Sequence, residues 1–301
     1  MNNGLYPDDI EVEELLVGPD SVTWRYASDA RLHLTSLYAL LLQVAHPTVG
    51  AGVHDYSNFE ARPWDRLMRT LDYVNLLVYG GREAAAAGRR LRELHKGFRG
   101  VRADGERYHA LEPDAYAWVH ATLISAYVHG HAQFGRPMSR DDRERFYREY
   151  RGLGRLIGVR ERDLPDDWAG FERYFARVCA TELVRTESVG RVLRSIGRAA
   201  PPPMPIPIPI AVWRTARVPI SRALWLGGVG LIEPELRRRL GIRFTRLDEA
   251  AFHTLGALSR ATEPALPQRL KVMGPAHLRW RGAEIATGPL GPSATTIAAA
   301  A

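Results

Sequence analysis

The sequence predicts an all-α fold, and three observations carry that prediction. Apolar residues recur at spacings of three and four through most of the chain. The segments patterned this way are bracketed by capping residues, prolines and glycines. No stretch alternates apolar and polar residues as a half-buried strand does, and there is no internal repeat.

Taken in order, Asp20-Ser21 offers an N-cap, and Thr23 to Ala45 carries one or two helices, with LHLTSLYALLLQVA apolar nearly all round and therefore central to a core. His46-Pro47 ends that run, because a residue before proline is pushed out of the helical region. TVGAGVHDYSNFEARP, rich in glycine and turn formers, reads as a loop that brings His54, Asp55, Tyr56 and Ser57 together. Pro63 suits the first turn of a helix reaching about Tyr79. After Gly80-Gly81 a second helix runs from Arg82 to Phe98 and stops at Gly100. VRADGERYHALEP is a connector with a turn at Asp104-Gly105, and Pro113 opens a buried helix through Trp118, His120, Thr122 and Tyr127. Ser139 to Asp142 is a capping-box pattern before an amphipathic helix, RERFYREYRGLGRLIG. Helices follow at about Trp168 to Leu183 and Val189 to Ile196. AAPPPMPIPIPIA cannot be helical; it has a polyproline-like composition, and its isoleucines suit a strap packed along the body. Helical patterns return from Val212 to about Arg281. Residues 1–19 read as a loosely attached arm, 20–281 as a single domain and 282–301 as a disordered tail.

Composition narrows the function. The 301 residues are 46% hydrophobic and 25% charged, enough for a sizeable core. The net charge of +7 is almost all arginine, since Lys96 and Lys271 are the only lysines. The arginines are scattered beside Asp and Glu without a helix-turn-helix, zinc-finger or RNA-stacking signature, so no nucleic-acid partner is expected. Cys179 is the only cysteine, which excludes disulfides within the chain and cysteine-based zinc sites. The acidic N-terminus lacks the order of a signal peptide. The longest apolar run, Leu34 to Ala45, falls far short of the ~20 residues of a bilayer span. A cytoplasmic location is therefore expected.

Most motifs have bland readings. GGVG at 227–230 lacks a preceding strand and the spacing of a dinucleotide loop, and there is no Walker-type GK[ST]. Glu106-x-x-His109 occurs once, where a carboxylate-bridged di-iron bundle needs it twice. Cys179 reads as a structural thiol, His120 as a core histidine, and His129 and His131 as solvated residues at a helix end. The stretch from Arg66 to Gly100 is different. Arg66, Arg69 and Thr70 stand at i, i+3 and i+4 and share one helical face. On the next helix Leu91, Leu94, His95 and Phe98 form an apolar stripe, predicting a buried imidazole with Arg92, Lys96 and Arg99 close by. These are the parts a haem needs: one imidazole for the iron, cations for the propionates, and polar groups facing bound oxygen.

The residues resemble a known family. Gln43-Val44-Ala45-His46-Pro47, Gly52-Val53 with Ser57, Arg66-x-x-Arg69-Thr70, Leu94-His95 with Arg99-Gly100, Trp118-Val119-His120 followed by Thr122, and the late Leu266-Pro267-Gln268-Arg269-Leu270 look like the DUF2236 family. It includes the latex clearing proteins (rubber oxygenases) and the MpaB-type oxygenases. The similarity spans roughly residues 20 to 280. The resemblance implies a globin-related helical core holding one haem b, with His95 as proximal ligand and Arg66 and Thr70 at the distal positions. Arg99, Trp118 and Thr122 would complete the cofactor pocket. The chain departs from the rubber-cleaving members in two places. Arg69 stands where they carry a lysine able to bind iron, and no Glu lies between Glu14 and Glu60 to match their upstream base. Asp55 or His46 is left to supply one.

The expected function is that of a haem b-dependent oxygenase with dioxygen and an apolar small organic molecule as substrates, Arg66, Arg69 and Thr70 being catalytic. A non-catalytic haem or gas carrier would use the same residues. A haem-free peripheral membrane protein is the third reading, motivated by the Ile/Pro segment and IAVWRTARVPISRALWLGGVGLI with its interspersed arginines. Weak peripheral membrane contact is compatible with all three, and oligomeric state is not readable from the sequence.

Overall fold

The computed structural model describes residues 15–202, 208–267 and 271–282. Within them the chain is essentially all-α. Residues 1–14 of the arm, 203–207 of the Ile/Pro segment and 283–301 of the tail lie outside the described residues. The part of the arm that is described is not loose: Leu15, Leu16 and Val17 are buried in the core.

Helix α1 (Val22–Ala27) starts where the Ser21 hydroxyl accepts from the Trp24 amide at 3.0 Å. A 3-10 turn (Ala30–Thr35) leads into α2 (Ser36–Ala45), whose Leu41, Val44 and Ala45 are fully buried. It lies between the long helices α6 (Pro113–Phe134) and α10 (Ile210–Gly230). The Gly227-Gly228 pair now has its reason, because a Cβ on Gly228 would sit 2.5 Å from the Leu37 Cβ. The glycines let two helices cross closely, and no phosphate loop is built on them.

The expected loop after His46 is a helix, α3 (Pro47–Tyr56). Tertiary packing overrides the weak propensity of its two glycines: a Cβ on Gly50 would lie 2.5 Å from the Val44 carbonyl oxygen and 2.8 Å from the Thr186 side chain. Helices α4 (Pro63–Tyr79) and α5 (Arg82–Lys96) form an antiparallel hairpin. Its turn passes through Gly81 at φ 51, ψ −130, a conformation that side chains with a Cβ rarely adopt.

Helix α5 ends two residues earlier than expected, at Lys96. The connector holds a hairpin of β1 (Arg99–Val101) and β2 (Arg107–His109), which turns through Gly105. These strands are three residues each, too short for alternation to register in the sequence.

Helix α7 (Arg140–Leu156) is capped by Ser139, and α8 (Trp168–Thr181) by Asp167. Thr186 caps α9 (Glu187–Ser195). After α10 come α11 (Pro234–Arg239), α12 (Arg246–Thr262) with a Thr245/Asp248 capping box, and α13 (Gly274–Trp280). Buried Asp72 of α4 latches α13 to the body: its carboxylate lies 2.7 Å from His277 Nε2 and accepts from Arg281 Nε at 3.0 Å and Nη2 at 2.9 Å. Among the described residues, no helix is long and apolar enough to cross a membrane.

Candidate functional site

Burial along the α4–α5 hairpin is one-sided. The buried residues of α4 are Asp72 and those from Asn75 to Tyr79; those of α5 run from Glu83 to Arg92. Apart from Arg92, they lie toward the end closed by Gly80-Gly81, where the small residues Ala84, Ala85, Ala87 and Gly88 allow close packing. A Cβ on Gly88 would lie 2.1 Å from the Leu156 carbonyl oxygen, so α5 is pressed onto α7 there. At the other end, Arg66, Arg69, Thr70 and Leu94 are exposed and His95 is half-buried. The expected apolar stripe through Leu94 and His95 is therefore not the buried face of α5. The buried face runs through its alanines, and His95 sits at its margin, at the open end of the hairpin.

The antiparallel arrangement brings Arg66 opposite His95. Burial lowers the pKa of His95 most, and the Arg66 charge lowers it further, while the bond to Leu91 opposes both. The Arg66 guanidinium is also depressed, first by desolvation and then by Arg69. Neither Arg66 nor Arg69 has a carboxylate partner among the described residues, whereas Arg31, Arg90, Arg160 and Arg191 each do.

His95 is oriented from its own helix. Its Nδ1 is 2.7 Å from the Leu91 carbonyl oxygen and, as donor there, leaves the Nε2 lone pair without a partner among the described residues. Its ring is met edge-on by Phe98 (5.3 Å between centroids) and by Tyr116 of α6 (6.0 Å). Phe98 in turn stacks on Tyr56 at 4.4 Å, whose hydroxyl donates to the Arg99 carbonyl at 2.8 Å. The end of α3 and the start of β1 thus form a platform beneath His95. Sequence reasoning missed this support, because Tyr56 was assigned to a loop; Phe98, three residues beyond His95, was the available signal.

Thr70 donates its hydroxyl to the Arg66 carbonyl at 2.9 Å, leaving its oxygen free to accept. Arg99 is exposed, beside Phe98. Trp118 and Thr122 are fully buried, and their polar groups are taken by protein. The Trp118 indole donates to the Leu42 carbonyl at 2.9 Å. Thr122 donates to the Val119 carbonyl at 2.7 Å and accepts from Gln43 at 2.9 Å. Tyr116 is the α6 residue that reaches His95; Trp118 is about 200° further round the helix and packs against Phe175.

His120, His131 and His46 lie away from this site. His120 is buried on Tyr150, with Nε2 2.8 Å from its carbonyl oxygen and a pKa pushed down to about 4 by desolvation. His131 is buried too, with Nε2 2.9 Å from the Tyr26 carbonyl oxygen, because α6 runs on to Phe134; the expectation of a solvated residue does not hold. His46 is buried, its pKa lowered mainly by desolvation. Asp55 accepts from the Tyr108 hydroxyl at 2.6 Å. Cys179 is half-buried, its thiol pushed up to about 12 by desolvation, and it is unreactive at neutral pH.

The residues around His95 fit a haem. A single protein side chain is enough to hold haem iron, and His95 offers one preoriented nitrogen beside aromatic rings and two cations that have no carboxylate partner among the described residues. Among the described residues, no group of three His, Cys, Asp or Glu side chains gathers as a protein-built metal site would require.

The family model described as ER-bound oxygenase mpaB/B'/Rubber oxygenase, catalytic domain, matches residues 24–261. The match includes the whole α4–α5 hairpin and ends before α13. No curated protein and no solved structure matches the chain.

Proposed function

The chain belongs to the mpaB/rubber oxygenase catalytic-domain family, and from that premise we propose a haem b-dependent oxygenase that takes dioxygen and an apolar small organic molecule as substrates. The observation that carries the reading is the pairing of His95, its Nδ1 fixed on Leu91 and its Nε2 unpartnered, with Arg66 across the open end of the hairpin.

Nε2 of His95 would hold the iron, and the Nδ1–H bond to Leu91 fixes both the tautomer and the plane of the ring. Bound haem would supply the site at which dioxygen binds and is activated. Arg66 and Arg69 would hold the negative charge that develops on oxygen. Preorganised donors of this kind are typically worth ~3 kcal/mol each once bound haem and substrate exclude water. Arg69 stays protonated and donates without acting as a ligand. The Thr70 oxygen can accept a proton-bearing group of the substrate, and Arg99 lies at the rim, where a propionate would emerge. Leu94, Phe98 and Tyr116 would give the haem its apolar contacts beside His95.

Oxygen uptake by haem-loaded protein, measured over a panel of apolar substrates, tests the reaction. At least one substrate should stimulate uptake, and Arg66→Ala should lower that rate about 100-fold. Haem-loaded protein that binds oxygen and consumes none with any substrate would favour a carrier instead.

A second reading concerns location. On the first half of α10, Ile210, Val212, Val218 and Ile220 are exposed with Arg214 and Arg222 among them. That pattern supports weak peripheral contact with an anionic bilayer. Co-sedimentation with phosphatidylserine vesicles tests it, and protein remaining in the supernatant at low salt would exclude it.

A further inference from the structure

A separate cavity of about 270 Å³ lies on the other side of α6 from His95, between α2, α8 and the α10–α11 junction. That is just below the ~300–1,000 Å³ usual for pockets that take drug-sized ligands. Trp168, Phe171 and Phe175 wall it from α8, and Tyr38 and Leu42 from α2. Three polar residues converge on this apolar lining: His129 of α6, Glu172 of α8, and Glu233 at the start of α11.

His129 is held from behind. Its Nδ1 lies 2.9 Å from the Ser125 carbonyl oxygen and 3.0 Å from the Ser125 hydroxyl, which is itself 2.9 Å from the Tyr38 hydroxyl. With its proton directed to that carbonyl, the ring presents the Nε2 lone pair as an acceptor, and no described residue donates to it. His129 is exposed, as its place near the end of α6 predicts, and desolvation by its neighbours lowers its pKa.

Glu172 and Glu233 are both near enough to act on the His129 charge. Neither carboxylate has a hydrogen bond or an ion pair among the described residues, in a chain where Glu60, Glu83 and Glu161 are all matched with arginine. The nearest cation acting on His129, Arg143, lies over the Trp168 ring at 5.6 Å. Glu172, Glu233 and His129 are exposed at the mouth of this aromatic-walled cavity, and two carboxylates without a cation partner among the described residues, beside aromatic faces, attract a cation. The three polar groups are not gathered closely enough to hold a metal ion, so the spacing suits a larger cation.

We propose that this cavity binds a small organic ammonium ion, its apolar body against Trp168, Phe171 and Phe175 and its N–H groups shared among Glu172, Glu233 and Nε2 of His129. The site is independent of the haem reading.

Calorimetric titration of the full chain with phenethylammonium, against neutral phenethyl alcohol, tests it. The ammonium should bind at least ten-fold tighter than the alcohol. Glu172→Gln combined with Glu233→Gln should remove that preference. Ala176→Leu, which fills the cavity from an exposed helical position and keeps both carboxylates, should abolish binding. Melting curves check that each variant is folded, and His95→Ala should bind as the parent does. Equal affinity for ammonium and alcohol, undiminished binding by the double variant or by Ala176→Leu, or loss of binding in His95→Ala would overturn the proposal.

Discussion

Gly88→Ala is the sharpest test of how α5 is positioned. In a helix interior, alanine is more favourable than glycine by ~1 kcal/mol, so propensity alone predicts stabilisation. The structure predicts the opposite sign. The added Cβ would stand 2.1 Å from the Leu156 carbonyl oxygen and 2.8 Å from its carbon, more than an ångström short of ordinary contact. The obstacle is backbone and cannot rotate away. Helices α5 and α7 must separate instead, at an overpacking cost of ~3 kcal/mol. Set against the propensity gain, the net loss is about 2 kcal/mol, or about 4 °C in Tm for a chain of this size. Gly152→Ala on α7 is the control, since its Cβ meets nothing closer than Leu15 Cδ2 at 4.0 Å; it should gain about 0.5–1 kcal/mol. Thermal and urea melts by circular dichroism read both. A Gly88→Ala protein as stable as the parent would refute the close crossing, and with it the placement of His95 two turns further along the same helix.

Three more outcomes follow from named contacts. Asp72→Ala leaves His277 and Arg281 without their carboxylate and should cost about 3 kcal/mol; limited proteolysis should then cut near α13 before the rest of the chain. Thr122→Val loses the Gln43 bond and should cost about 1 kcal/mol in urea melts, with haem affinity unchanged. His120, neutral in the fold with its pKa near 4 against 6.5 unfolded, gives stability that is complete above pH 6.5 and declines as pH falls toward 4. Between pH 6.5 and 5 the loss is about 2 kcal/mol, and His120→Gln, which cannot titrate, should flatten the urea-midpoint profile by that amount.

The sequence carried the hairpin well, because its signals are local: Pro63 at the first turn, Gly80-Gly81 at the reversal, and Arg66, Arg69 and Thr70 on one face. It misassigned α3, since the glycines of TVGAGVHDY read as breakers until Gly50 is seen against Val44 and Thr186, residues far apart in the chain. The stripe through Leu94 failed for a related reason. Helical periodicity identifies a face, but the alanines and Gly88 win burial by close approach to α7, and small residues give a weak periodic signal. His131 read as exposed only because the length of α6 was underestimated. The platform of Tyr56 and Phe98, and the cavity around His129, depend on contacts between elements that no local pattern encodes.

The absorption spectrum of the chain expressed with a haem precursor tests most directly whether His95 holds an iron porphyrin. A Soret band at one haem per chain in the parent, lost or greatly weakened in His95→Ala with the helical fold intact, is the predicted result. A colourless parent that takes up no added haemin, or a His95→Ala protein with an undiminished band, would contradict it.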